Sequence, residues 1–422
     1  MSKLRISGPC RLSGELQVHG AKNSALPILA ASLLCKAPCR LTNCPHLSDV
    51  DTAVSILREL GCQASFSQGV VEVDPTAADT CTIPDALMRE MRSSIIFLGA
   101  IIGRMGEAMM SFPGGCELGP RPIDLHLQAL RRLGAQIRED HGRLSCTAPG
   151  GLHGAEITLA FPSVGATENV LIAASTAQGT TILENAAREP EIEDLAGFLN
   201  ACGARVAGAG GSTVRIDGVP SLGGCSYRVI PDRIAGATYL AAAAATGSRL
   251  TLRGVIPRHL SPVLLVFEEA GCVFRTAGDT LEIQPPPRLN RVHSVRTMPY
   301  PGFPTDAQAP VMAMETLARG TSIFVENIFE ERYKHVGELL RMGAHIRVDG
   351  RVAVVEGVRQ LFGAPVEAAD LRGGAALVVA GLAAQGQTVV TGVHHIDRGY
   401  ERIEQALSAL GAQVERLPDS EG

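Results

Sequence analysis

Residues 57–65 read LRELGCQAS: a helix-like run, a glycine, then a short alternating segment. Glycine at that point suits a helix that ends by turning through positive φ before a strand begins. The pattern returns as LRRLGAQIR (130–138), LNACGARVA (199–207), FEEAGCVFR (267–275), LLRMGAHIR (339–347) and LSALGAQVE (407–415). Its six glycines, Gly61, Gly134, Gly203, Gly271, Gly343 and Gly411, are separated by 73, 69, 68, 72 and 68 residues. That period is far longer than a solenoid repeat, so each copy is a small α/β subdomain.

Two further markers frame the unit. An apolar helix gives way to a β-rich segment at CKAPCRLTN, RMGEAMMSF, AQGTTILEN, ATGSRLTLR, ARGTSIFVE and AQGQTVVTG, once per copy. After the glycine comes a second alternating segment, VVEVD, RLSCT, TVRID, TLEIQ or VAVVE, in five copies only. The N-terminal KLRISG matches that pattern and belongs to no unit, so it is expected in the C-terminal half. Each unit then runs strand, helix, strand, helix, strand, strand. Three units per domain give residues 22–229 as one domain and 1–21 with 230–422 as the other, with crossovers near 19–22 and 228–231. Runs such as TYLAAAAATG and LRGGAALVVAGLAAQG are apolar on every side, which puts the helices inside and the sheets outside. The fold class is therefore α/β. Two doubly wound sheets with outer helices are the alternative, and all-round apolar helices count against them.

The chain of 422 residues is 45% apolar and 19% charged, with net charge −5. It is long enough for two or three domains and has no global basic field to draw nucleic acid. Eleven cysteines, an odd number without CxxC, fit a reducing compartment. Cys35, Cys62, Cys202 and Cys272 lie in helix or strand context and are expected to be packing residues. His394 and His395 have no ligand cluster at zinc spacing, so no metal is expected. The start MSKLRISGPC lacks a signal-peptide core, and no apolar run is long enough to span a bilayer, so a cytoplasmic protein without a membrane partner is expected. The sequence leaves oligomeric state open, and a monomer is consistent with it.

Each unit has two junctions leading from strand into helix, where free N–H groups favour anions. The first junctions hold Lys22-Asn23, Arg92, Ser163-Val164-Gly165, Asp232-Arg233, Asp306, and Asp370 with Arg372. The second hold Ser48-Asp49, Cys116 with Arg121, Arg188-Glu189-Glu191, Arg258, Arg332, and Asp397-Arg398. Equivalent ends of two domains facing each other would make a cleft for an anionic ligand, with guanidinium forks suited to phosphate or carboxylate. Helix caps or solvated side chains explain Asp49, Asp232, Arg258 and Arg188 at least as well. Lys22, Arg121, Arg332, Arg372 and Arg398 recur at like positions and favour a ligand role. His126, early in an apolar helix, fits a satisfied core histidine with a secondary role. Cys116 follows Pro-Gly-Gly with Arg121 nearby, the access and positive charge that a reactive thiol needs.

Taken together, FPGGCELGPRPIDLH, GAKNSALPILAA, PSVGATEN, ENAAREPEI, FPTDAQA and HHIDRGYERI resemble the motifs of the enolpyruvyl transferase family, on the branch whose acceptor is UDP-N-acetylglucosamine. The motifs are long and follow the family's order over nearly the whole chain. The resemblance implies two inside-out α/β barrels of three pseudo-symmetric repeats, with the N-terminal strand in the second. It implies an enzyme with no cofactor that moves the enolpyruvyl group of phosphoenolpyruvate to the 3′-hydroxyl of the sugar, releasing phosphate and opening peptidoglycan synthesis.

By resemblance, Cys116 donates the proton to C3 of phosphoenolpyruvate and Asp306 is the base for the sugar hydroxyl, with Lys22 and Arg398 also in the catalytic set. Lys22, Arg92, Arg121, Arg332, Arg372 and Arg398 match the cations that hold phosphate and carboxylate. Asn23, the run Arg121, Pro122, Ile123, Asp124, Leu125, the run Ser163, Val164, Gly165, and Ile328 match contacts to the nucleotide sugar. Asp370 is expected on the substrate as well. Ser48 and Phe161 stand where some members carry lysines, which puts diphosphate contacts there in doubt. A cysteine at 116 implies alkylation by an epoxide phosphonate such as fosfomycin, and the cleft is expected to close on the UDP-sugar. The rival readings are the branch that accepts shikimate 3-phosphate and a non-catalytic repeat module that binds a nucleotide sugar.

Overall fold

The computed structural model describes residues 2–112 and 123–418, the side chain of Arg92 excepted. All six repeat glycines follow a helix, at φ between 91° and 100°. The helices they end are Ser48–Glu59, Asp124–Arg132, Pro190–Ala201, Pro257–Glu269, Val336–Arg341 and Ile403–Ala409, and a strand begins within three residues of each glycine. Only glycine takes that φ without strain, so each helix turns sharply into its strand.

Contacts divide the described residues into two compact units, one of residues 2–19 and 231–418, the other of residues 20–112 and 123–230. Each has its own apolar core. In the first, the helices Arg233–Ala245, Thr305–Glu315 and Leu371–Ala383 pack against one another. Their residues are buried on nearly every side, because Ala and Gly let helix backbones approach closely. In the second, Phe97–Met105 packs against both Lys22–Ser32 and Val164–Ala174.

Around these helices lie separate open sheets, three per unit, and among the described residues none closes on itself. The third repeat shows the pattern: Glu156–Thr158 pairs parallel with Thr180–Glu184 through the intervening helix, and Thr213–Asp217 then pairs antiparallel. A parallel neighbour needs such a crossover. Alternation buries one face of each strand, as in the Val214 and Ile216 positions of Thr213–Asp217.

Three strands come from a distant part of the chain. Ser226–Arg228 pairs parallel with Cys39–Thr42, and Glu15–Gln17 with Leu250–Arg253. Ser2–Gly8, the KLRISG strand, lies antiparallel between Gly386–Thr391 and Val414–Pro418. The second repeat departs from the expected order: its sheet has three strands, and Thr82 makes only an isolated bridge to Met109. Pro84 follows two residues later, and a proline cannot extend that ladder; a helix, Asp85–Glu90, and a 3₁₀ turn, Arg92–Ile96, take over.

Cys62 and Cys272 pack in their cores as expected. Cys35 and Cys202 pack in the core of the second unit too, and their sulfurs gather there with that of Cys39. Among the described residues no helix is long and apolar enough to cross a membrane.

Candidate functional site

In the unit of residues 2–19 and 231–418, Asp306 stands in the first turn of Thr305–Glu315 and gathers two arginines. Arg332 Nη2 donates to Asp306 Oδ1 at 2.7 Å and to the Thr305 carbonyl at 3.1 Å. Arg372 Nη2 donates to Asp306 Oδ2 at 3.1 Å. The side chains of Arg332 and Arg372 are 3% and 2% exposed while that of Asp306 is 28% exposed, so the carboxylate faces outward over buried cations. Arg332 stacks 5.5 Å from the Phe329 ring centre and Arg372 5.3 Å from that of Tyr400. Burial alone would lower the Arg372 pKa, but Tyr400, Asp306 and Asp232 outweigh it and hold the pKa above its usual value. Among the described residues, Nε of each arginine has no acceptor. Buried donors of this kind are suited to an anion that brings its own oxygens.

The surroundings fix this group. Asp370 caps Leu371–Ala383, accepting from the N–H groups of Arg372 at 3.0 Å and Gly373 at 2.8 Å. His335, buried beside Arg332 and Asp370, is kept neutral because burial lowers its pKa to about 4 against the pull of Asp370. Glu326, fully buried at a strand end, accepts from the N–H groups of Ile328 at 2.8 Å and Phe329 at 3.0 Å. It also accepts from Thr297 at 2.9 Å and from Thr305, next to Asp306, at 3.0 Å. Its only trace in the sequence is a lone acid closing an apolar strand, TSIFVE. Arg398 is half-buried in the turn between the Val393–Ile396 and Ile403–Ala409 helices. Asp397 beside it is held by both Nη atoms of Arg416 at 2.7 and 2.9 Å, a structural pair.

In the unit of residues 20–112 and 123–230, Lys22 opens its helix and its Nζ lies 2.6 Å from Asp49 Oδ2, both buried. Asp49 is thus the partner of Lys22 rather than a cap. Asp194 sets the same helix turn: it accepts from Ser24, from the Tyr227 hydroxyl at 2.8 Å and from the Ile230 N–H at 3.2 Å. Asn23, between Lys22 and Ser24, is half-buried. Ser163 caps the helix Val164–Ala174, accepting from the Ala166 N–H at 3.4 Å, with Val164 and Gly165 as its first residues. His126 lies against Gly165, where a Cβ would stand 2.8 Å from its ring. Its Nδ1 accepts from Asn169 at 2.7 Å, and Asn169 also binds the Ile95 carbonyl and the Gly99 N–H. Glu168, one residue away and buried, has its pKa pushed up to about 8 by burial and then by Glu191 and Glu189.

Of the other expected residues, Ile123 is buried, Leu125 half-buried and Asp124 exposed at a helix start. Asp232 caps its helix, and Arg188 and Arg258 are exposed, so the cap and solvated readings hold for these three. Cys116, Arg121 and Pro122 lie outside the described residues, as does the side chain of Arg92.

The family model that matches residues 6–407 is described as EPSP synthase (3-phosphoshikimate 1-carboxyvinyltransferase). Among curated relatives, UDP-N-acetylglucosamine 1-carboxyvinyltransferase 2 of Caldanaerobacter subterraneus subsp. tengcongensis is 51% identical over 99% of this chain and 100% of its own. UDP-N-acetylglucosamine 1-carboxyvinyltransferase 1 of Carboxydothermus hydrogenoformans is 49% identical over the full length of both chains. The enolpyruvyl transferase NikO of Streptomyces tendae is similar in structure, with a TM-score of 0.88 at 27% identity over 99% of each chain.

Proposed function

The chain belongs to the EPSP synthase family, and from that premise we propose that it is a UDP-N-acetylglucosamine 1-carboxyvinyltransferase. It transfers the enolpyruvyl group of phosphoenolpyruvate to the sugar 3′-hydroxyl, releases phosphate, and so serves peptidoglycan synthesis. The choice of acceptor rests on the near half-identity, end to end, with relatives of that name. The chemistry rests on one observation, Asp306 bridging two buried arginines.

An incoming phosphate or carboxylate competes with Asp306 for those arginines. As it takes over their donors, Asp306 becomes free to accept the proton of the 3′-hydroxyl while that oxygen bonds to C2 of phosphoenolpyruvate. The C2–C3 π pair takes a proton at C3 from the Cys116 thiol. In the second step C3 returns a proton, the C2–C3 double bond re-forms, and phosphate leaves with the C–O bonding pair. Arg332, Arg372, Arg398, Lys22, Arg92 and Arg121 hold the anionic groups, and fixed cations do so without the reorganisation that water needs. Asn23, Pro122, Ile123, Asp124, Leu125, Ser163, Val164, Gly165 and Ile328 serve the nucleotide sugar, and Asp370 serves substrate binding.

We further propose that each unit is an inside-out barrel of three repeats, with borders at 22–229 and at 1–21 plus 230–422. Mutually packed buried helices with sheets around them support this. None of the described cysteines is in a disulfide, which supports a reducing, cytoplasmic setting. The test is phosphate release with each acceptor. Turnover with UDP-N-acetylglucosamine is expected, and turnover with shikimate 3-phosphate alone would overturn the reading. Fosfomycin should add one equivalent to the intact mass, mapped to Cys116.

A further inference from the structure

We infer that Cys35, Cys39, Cys202 and Cys225 form a tetrathiolate site for one zinc ion, in the unit of residues 20–112 and 123–230. The sulfurs of Cys35, Cys39 and Cys202 all lie within 4.8 Å of one another. Cys225 Sγ lies 3.3 Å from Cys202 Sγ. Around a tetrahedral zinc with bonds of about 2.3 Å, sulfurs stand about 3.8 Å apart; Cys35, Cys39 and Cys202 already form a group of three, and Cys225, beside Cys202 but outside that group, must turn its side chain inward to supply the fourth ligand. Cys35 and Cys39 have the C-x₃-C spacing common in structural zinc sites. Three of these thiols pack in the apolar core as small hydrophobes, and a soft, tetrahedral ion could use all four as ligands.

The backbone brings the sulfurs together by design of the sheet edge. Cys35 and Cys39 flank the turn between the Lys22–Ser32 helix and the Cys39–Thr42 strand. The incoming segment 222–225 zips along them, with Lys36 N–H donating to the Leu222 carbonyl and Arg40 N–H to the Cys225 carbonyl, each at 2.9 Å. Gly223 N–H then reaches the Cys202 carbonyl at 2.7 Å. Gly224 is required for this crossing, since a Cβ there would lie 2.0 Å from the Pro38 carbonyl oxygen.

The neighbourhood fits a dianionic zinc tetrathiolate. Arg104 Nη1 donates to the Cys35 carbonyl at 2.7 Å, so one cation is anchored on the backbone of this turn. Cys39 and Cys225 also line a surface hollow that gives an ion entry. On binding, each thiol surrenders its proton to solvent. The ion would staple the closing strand Ser226–Arg228 to the first sheet, joining the two ends of this unit. The inference stands apart from the catalytic reading, because none of these residues has a role in it.

The test is metal content of the full-length protein purified in reductant, by mass spectrometry of metals and by native mass. About one zinc per chain is expected. Cobalt exchanged into the site should show the d–d and thiolate charge-transfer bands of tetrahedral coordination. Cys225→Ser, at the half-exposed position, should weaken zinc retention by on the order of 100-fold, while Cys62→Ser retains it. Metal-free protein whose four thiols are all alkylated without unfolding would overturn the inference. So would a chain lighter by the two hydrogens of a disulfide among these four.

Discussion

Asp306 carries most of what the site can do, because two buried guanidiniums converge on a carboxylate that faces outward. Asp306→Asn should lower turnover by roughly 10²–10⁴ while leaving UDP-sugar binding nearly intact. Phosphate release and calorimetry measure the two, and retained turnover would remove Asp306 as base. Arg372→Lys is not conservative, since an ammonium cannot both reach Asp306 and stack on Tyr400. It should raise KM for phosphoenolpyruvate by ten-fold or more, against little change for the UDP-sugar, in steady-state kinetics. Asp306, Arg332 and Arg372 were legible because each recurs at a strand-to-helix junction. Their buried supports were not. Glu326, Asn169 and Asp194 act through hydrogen bonds between segments far apart in sequence, and nothing local marks them.

At the scale of elements, Glu326 holds the turn of Ile328 and Phe329 and the threonine beside Asp306. Glu326→Ala strands two backbone N–H groups and should cost about 2–4 kcal/mol of stability. Thermal unfolding with kinetics checks this, with Glu326→Gln restoring most of both because its amide oxygen can still accept. A role confined to stability would leave kcat/KM of the folded variant unchanged, whereas positioning predicts a loss. The six-fold glycine pattern was legible because a helix C-terminus at positive φ leaves a residue-type signature. The cysteine cluster was hidden, since a helix end and the turn before an incoming strand meet the Cys35–Cys39 turn only when the sheet closes. The missing strand of the second repeat was hidden too: TCTIP alternates well enough to pair, but Pro84 stops it after a single bridge.

For the whole molecule, buried acids make stability depend on pH in an unusual direction. Burial raises Glu168 to about 8 and Glu315 to about 7, both from 4.5. Between 4.5 and those values the folded chain binds more protons than the unfolded one, so these groups reduce stability as pH rises. Burial lowers His259 and His335 to about 4, and their effect has the opposite sign, is half spent at pH 6.5 and offsets part of the fall above it. Unfolding free energy should therefore fall between pH 6.5 and 8, on the order of 1–2 kcal/mol. Denaturant titration at both pH values measures it; Glu168→Gln with Glu315→Gln should flatten the profile, and a wild-type profile already flat would refute the assignment. The central place of Ser2–Gly8 in its sheet has a consequence for biosynthesis. This strand leaves the ribosome long before residues 386–418 exist, so at 5–20 residues per second it waits roughly 20–75 s for either neighbour. The unit of residues 20–230 can fold in that interval, while the strand's bare hydrogen-bonding edges invite mispairing or chaperone capture.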